Sequence, residues 1–485
     1  MIIIATPDEA NTGSGTRDLL SNTGGLSAVV GGGYCVGCGA CAALDNAITM
    51  ARDEAGRRLA VLPADRAPTV TAEATCPFAD GVADENEIAA ERFSSPEHAH
   101  DSRIGRSLGN FAGWVDEGNY RADGSSGGMG AWLLCELLER GFVDSVVHVV
   151  ERPRTPGTDE PLFAFAVSSD ADTVRAHAKS RYYPVEMSGV IAHMIATPGR
   201  YAVVAVPCFA KALRLAARQS PILSERLAFI VGIVCGHLKS EGFGEALAWQ
   251  CGVSPEGLTA IDFRVKLAGR PANRYGLHVE GMADGAPVRV TRPMEGLVGA
   301  NWGHGLFKLK ACEFCDDVLA ETADVVVGDA WLPTYEGDHR GTNVVVVREP
   351  RLLALMREAA EAGRLRLDEV TTETVVKSQA AGLRHRRDGL AYRLWWTDKA
   401  DEWRPTKRVA PSWRHLTPKL RRIHRLRYAL GQASHTAFLE AKRADDFIAF
   451  QRAMTPLIRR YDREQSRALW RRVAGKVKTF LWPNN

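Results

Sequence analysis

The chain has 485 residues, 45% of them hydrophobic and 25% charged, which suits a soluble globular protein of two or three domains. No apolar run approaches the ~20 residues of a membrane-spanning helix, and Met1-Ile-Ile-Ile-Ala5 lacks the basic start of a signal peptide. Net charge is +3, yet residues 381–485 hold 25 Lys and Arg against 9 Asp and Glu, so an acidic body precedes a basic tail. The expected location is cytoplasmic, where ten cysteines serve metal or redox chemistry rather than disulfides.

Residues 1–33 are rich in Gly, Ser and Thr and read as a loose leader. The first chemical signal is Cys35-Val-Gly-Cys38-Gly-Ala-Cys41. Three thiolates two residues apart can reach three corners of one iron–sulfur cube, and Gly37 and Gly39 let the backbone curl around it. Bacterial ferredoxins complete such a loop with C-x3-C-P. Here that position is Asp45-Asn46, so the fourth ligand is either Cys76, followed by Pro77, or Asp45. Zinc would favour two separated pairs instead. Residues 47–50 and 59–62 read as a β pair, Glu85 to Arg92 as a short acidic helix, and Ser94 to Ser107 as a linker. Residues 34–107 are thus a small ferredoxin-like cluster module with its linker.

The next block, 108–375, reads as α/β with a mixed or mostly parallel sheet. Gly124-Ser-Ser-Gly-Gly-Met-Gly130 opens a helix whose apolar residues recur at helical spacing. Such a loop presents backbone N–H groups to an anion, or is simply a Ser-capped helix start. Residues 143–150, 201–206, 227–234, 323–329 and 342–347 read as strands, and the continuous apolar run 201–206 suits a buried parallel one. Cys208 and Cys235 follow two of these strands, and Cys312-Glu-Phe-Cys315 precedes a third. Functional groups in open α/β sheets gather beyond the carboxyl ends of strands. The four thiols can therefore converge on a second 4Fe-4S cluster. Cys135 and Cys251 read as packing residues. His237, two residues past Cys235, is a candidate proton donor, and Lys239 a similar case; each also reads as a plain structural residue.

The order Pro-Cys, Val-Cys, Cys-x2-Cys, then Ala323-Asp-Val-Val-Val-Gly-Asp329 resembles the coenzyme F420 (deazaflavin) hydrogenase/dehydrogenase beta-subunit family, which includes ferredoxin-dependent chlorophyll-pathway reductases. The resemblance implies an iron–sulfur flavoprotein carrying FAD. It places Ser125, Ser126, Gly127, Gly128 and Met129 beside the flavin, with Lys179, Ser180, Arg181 and Tyr182 as a second contact. It assigns Cys208, Cys235, Cys312 and Cys315 to the core cluster, and Cys35, Cys38, Cys41 and Cys76 to the additional cluster of some members. The expected function is an oxidoreductase passing electrons from ferredoxin or deazaflavin through two 4Fe-4S clusters and FAD to an organic substrate. A flavin would bridge one-electron carriers and two-electron chemistry. The alternatives are an electron-transfer subunit feeding a partner enzyme, or a zinc-stabilised binding protein.

Residues 376–485 read as a basic helical extension. Leu416 to Leu430 forms an amphipathic basic helix, continued in style by 447–461 and 468–481. Six of the eleven tryptophans fall there, at 395, 396, 403, 413, 470 and 482. Trp beside Arg and Lys suits the inner membrane surface or an acidic partner such as ferredoxin, or a solvated helical face. No nucleic-acid-binding motif accompanies the charge.

Overall fold

A computed structural model describes residues 24–481, with side chains to 466. The centre is an eight-stranded sheet in the order Leu365–Glu369, Gly109–Val115, Asn343–Val347, Val325–Asp329, Leu227–Ile233, Tyr201–Ala205, Ser145–Glu151, Phe163–Ser168. Val325–Asp329, Leu227–Ile233, Tyr201–Ala205 and Ser145–Glu151 run parallel. The flanking strands pair antiparallel, so the sheet is mixed.

The valine runs are continuous because both faces of the sheet are covered. Val345, Val347 and Val231 pack with Trp132, Leu133 and Met356 of helices Met129–Glu139 and Pro350–Glu361. Val344, Val346 and Ile230 belong to the opposite core, with Phe209 and Leu213 of helix Pro207–Gln219. Strands Tyr201–Ala205 and Leu227–Ile233 end just before Cys208 and Cys235, so the sheet delivers both thiols to one edge.

Several sequence expectations change. Most of the 1–33 leader lies outside the described residues, but Leu26–Gly31 is a helix that buries Leu26 and Val29. The 94–107 linker contains a hairpin, Ala99–Asp101 with Gly105–Ser107. Buried Arg348 fixes it by donating to the carbonyls of Ile104 (3.1 Å) and Arg106 (2.8 Å). A three-stranded antiparallel unit, Leu258–Val265, Gly276–Ala283 and Ala286–Pro293, was not anticipated. Its last strand is mostly exposed, with no residue buried, and so gives the sequence little burial pattern to betray.

The basic extension is integral rather than appended. Pro418–Ala444 buries Ile423, Leu426, Leu430 and Phe438 in a core shared with Phe243, Phe263 and Leu277. Its apolar face is thus committed to the protein and not free to lie in a membrane surface. Residues 447–481, read as two segments, form one helix that carries Pro456. No helix among the described residues is long and apolar enough to cross a membrane.

Candidate functional site

The first thiol group forms around the tight loop that ends in helix Ala40–Leu44. Gly37 and Gly39 hold φ of 68° and 80°, a region that penalises any Cβ. A Cβ on Gly37 would also meet the Arg58 carbonyl oxygen at 2.4 Å. Cys35, Cys38, Cys41 and Cys76 line one cavity, walled by Leu26, Val29, Met50 and Phe78. Burial pushes the thiols of Cys41 and Cys76 up to about 12, and the neighbouring thiols add to the effect. Backbone N–H groups of Gly37, Ala40, Ala42, Ala60 and Phe78 act in the other direction on these sulfurs. Asp45, the competing ligand, points elsewhere. Its carboxylate accepts from Arg66 (3.0 Å), Thr69 N (2.9 Å) and Ala47 N (3.1 Å).

The second group is assembled from distant segments. The Cys208 thiol is raised well above the ordinary range by burial, then by Cys315, Cys235 and Cys312, and further by Cys38. The sulfurs of Cys315, Cys235 and Cys312 thus act on Cys208, and Cys38 of the first group acts on it least. The Leu238 amide donates to Cys312 Sγ at 3.2 Å, and Arg386 Nη1 reaches Cys315 Sγ at 2.6 Å. Cys312 and Cys315 lie in and just after the 3₁₀ turn Lys310–Phe314. Among the described residues, no three His, Cys, Asp or Glu side chains close on a single ion. A single zinc ion would hold its sulfurs about 2.3 Å from one centre. A cubane takes one thiolate per corner and spreads them wider. Amide and guanidinium donors aimed at buried sulfurs are the surroundings that anionic, thiolate-bound clusters take.

Beside this group lies a cationic, aromatic cradle. Ser180 N donates to Ser125 Oγ at 2.7 Å, so the two segments expected beside a flavin are joined. Gly128 has φ 86°, and a Cβ there would meet the Tyr120 carbonyl at 2.6 Å. The Met129 amide is already taken by Asn343 Oδ1 at 3.1 Å, so the helix start is in part self-satisfied. Ser126 Oγ donates to the Thr342 carbonyl at 3.1 Å. Lys179 pairs with Asp262 at 3.2 Å. Arg181 is committed to Glu151 and stands 5.2 Å above the Phe163 ring.

Residues that motif reading missed complete the cradle. Arg264 pairs with both oxygens of Asp329 (2.9 and 3.1 Å), donates to Ser125 O (3.0 Å) and Tyr182 OH (3.2 Å), and stacks 4.3 Å from Tyr275. Lys266 Nζ donates to Ser126 O at 2.8 Å. Tyr182 meets Trp302 edge-on at 4.9 Å, and Trp302 donates to Tyr275 OH at 3.1 Å. The bare Asp329 at a strand end was the one available signal; Arg264 lies in the strand unit the sequence did not reveal. His237 stands 4.6 Å from Trp302 with Nε2 buried and unpartnered. Burial and then Lys239, Lys308 and Arg427 push its imidazole well below the ordinary range. Lys239 donates to the Leu306 carbonyl at 2.5 Å and lies over Phe243 and Trp302. Cys135 is fully buried on its helix, and Cys251 packs against the second core, as packing residues should.

No curated protein matches the chain in sequence. Among solved structures, it is similar to a chain of the F420-reducing [NiFe] hydrogenase complex from Methanosarcina barkeri. That similarity has 15% identity and TM-score 0.45, covering 61% of this chain and 96% of the other. Two family models match in tandem. Residues 110–192 match the coenzyme F420 hydrogenase/dehydrogenase beta subunit N-terminal model, and residues 199–373 match its C-terminal counterpart. The matched region takes in the sheet, the Ser125 and Ser180 segments and all four thiols of the second group. The chain belongs to the coenzyme F420 hydrogenase/dehydrogenase beta-subunit family, a family of oxidoreductase subunits.

Proposed function

We propose that the chain is an iron–sulfur flavoprotein that exchanges electrons with ferredoxin or a deazaflavin coenzyme and serves an organic substrate or a partner enzyme. Cys35, Cys38, Cys41 and Cys76 would hold one 4Fe-4S cluster, and Cys208, Cys235, Cys312 and Cys315 a second. The observation that carries the reading is the cavity lined by Cys35, Cys38, Cys41 and Cys76, together with Arg386 bonding both Cys315 Sγ and the Cys235 carbonyl. Clusters when bound carry single electrons, and a flavin couples them to two-electron chemistry.

The chain's own residues supply the surroundings. Cys38, Cys41, Cys76, Cys235, Cys312 and Cys315 are buried, and Cys35 and Cys208 are half-buried, so water has little access to either group. Lys266 would take up a proton to meet a dinucleotide pyrophosphate, beside Lys179 and Arg264, which Asp262 and Asp329 hold in place. Arg264, locked by Asp329, fixes Ser125 and Tyr182 relative to each other. Tyr182, Tyr275 and Trp302 offer flat apolar surface for a ring system. His237, with Nε2 buried and unpartnered, stands beside that surface and is kept as a candidate proton donor.

Anaerobically purified protein tests this reading through iron, acid-labile sulfide and flavin content. About eight iron and one FAD per chain are expected from two cubanes and a flavin. A colourless, iron-free preparation would favour the zinc-stabilised reading. Turnover with reduced ferredoxin or deazaflavin and an acceptor, without added protein, separates an enzyme from a carrier that needs its partner.

A further inference from the structure

The buried arginines of the extension divide into two kinds. Arg393 reaches Glu313 at 3.1 Å, and Arg408 reaches Glu321 at 2.7 Å, Glu85 at 3.3 Å and Asp316 at 3.4 Å. These cations are neutralised by carboxylates. Arg386 is not. It is 2% exposed, and its hydrogen bonds go to Cys315 Sγ at 2.6 Å, Cys235 O at 3.0 Å, Gly236 O at 2.8 Å and the Asp317 carbonyl. The nearby Asp317 carboxylate is spent on the amides of Leu319 and Glu321, both at 2.9 Å. Arg386 Nε has no partner. A buried guanidinium is strongly disfavoured unless an anion shares its pocket. The Asp317 carboxylate acts on it by charge alone, and the guanidinium itself touches Cys315 Sγ, a thiolate once a cluster is bound.

Arg386 ends the helix Ala380–Arg386, beyond the family-matched residues, which stop at 373. The same extension crosses the first thiol group. Trp403 Nε1 donates to Asp80 at 3.2 Å, the Thr406 amide to Asp80 at 2.8 Å, and Lys407 lies 4.2 Å from the Phe78 ring. Phe78 walls the first cavity.

We propose that Arg386 is a positioning residue for the second thiol group: it clamps Cys315 to the Cys235 turn and provides the positive charge that balances a cluster there. The proposal rests on the cluster reading above. A fixed cation beside a cluster favours its more reduced, more negative state and so raises its potential. The extension thus closes the second group and sets its potential, instead of serving only as a surface.

The test compares wild type, Arg386→Gln and Arg386→Lys, purified anaerobically, by iron and sulfide content and by redox titration followed by electron paramagnetic resonance. Arg386→Gln is expected to move the midpoint of one cluster to lower potential and leave the other unmoved, and Arg386→Lys to restore most of the shift. If Arg386→Gln sheds four iron, Arg386→Lys must retain them. Equal potentials in Gln variant and wild type, or equal iron loss in both variants, would overturn the proposal. Wild type without iron would sink the cluster reading itself, a separate and recognisable result.

Discussion

The two thiol groups are built in opposite ways. The first comes from one glycine-bent loop plus Cys76, and backbone amides face its sulfurs. The second is gathered by the sheet from positions 208, 235, 312 and 315, and an extension beyond the matched family region contributes a guanidinium. A local loop can be gained or lost as a unit. A topological site cannot, because its ligands are strand ends that also carry the core. The difference also predicts unlike redox behaviour, since amide donors are neutral dipoles whereas Arg386 brings a full charge.

The largest expected effect comes from removing one thiol of each group. Cys38→Ser and Cys312→Ser should each lower iron from about eight to about four per chain, with different spectroscopic signals lost. The Cys312 variant is expected to lose stability and flavin as well, because its group abuts the cradle through Leu238 and His237. Equal damage from both variants would erase the contrast between a separable loop and an integral site.

A second comparison concerns the fourth ligand of the loop. Cys76→Ser should cost the first group its iron, whereas Asp45→Asn should leave iron content unchanged. The Asp45 carboxylate is occupied by Arg66 and two amides, so its loss is felt as lower thermal stability. Iron lost from the Asp45 variant alone would reverse the assignment.

The same contrast explains what was readable in the sequence. Cys35, Cys38 and Cys41 announce themselves because local chemistry dictates their spacing, and the valine runs announce a sheet covered on both faces. Cys208 and Cys235 were placed at strand ends by pattern, since a buried parallel strand reads as an uninterrupted apolar run. Arg264, Lys266 and Trp302 were invisible. Each owes its role to neighbours from remote segments, and an arginine in an irregular strand looks like any surface arginine. The tail misled for a related reason. A count of positive charges does not tell Arg386, Arg393 and Arg408, which point inward, from cations that face solvent.

Glycine provides a smaller and more local break. Gly37→Ala forces a Cβ onto left-handed backbone, at about 1–2 kcal/mol before any clash with the Arg58 carbonyl is added. Weaker iron retention in the first group alone is the expected readout, by chelator challenge. No corresponding glycine shapes the Cys312 turn, which is an ordinary 3₁₀ segment. Unchanged retention in Gly37→Ala would mean that the loop adapts and that its curl is not the constraint.

The cationic, aromatic cradle is the common reference, and Lys266 marks it most finely. Burial, then Lys179, Arg121 and Arg264, lower its amine from 10.5 to about 7. From about pH 7 up to the ordinary value, the folded chain holds a neutral amine where the unfolded chain holds a cation. The unfolded state binds more protons there, so the apoprotein should gain stability as pH rises through that window and pay the full cost of the buried cation below it. A bound pyrophosphate reverses the balance by favouring the ammonium. FAD binding to the apoprotein at pH 8 should therefore take up close to one proton, and affinity should fall by up to about tenfold per pH unit above 7. Calorimetry in two buffers of different ionisation enthalpy measures the uptake, and Lys266→Met should abolish it. If the uptake persists in Lys266→Met, the proton belongs to another group, and Lys266 does not face the anion.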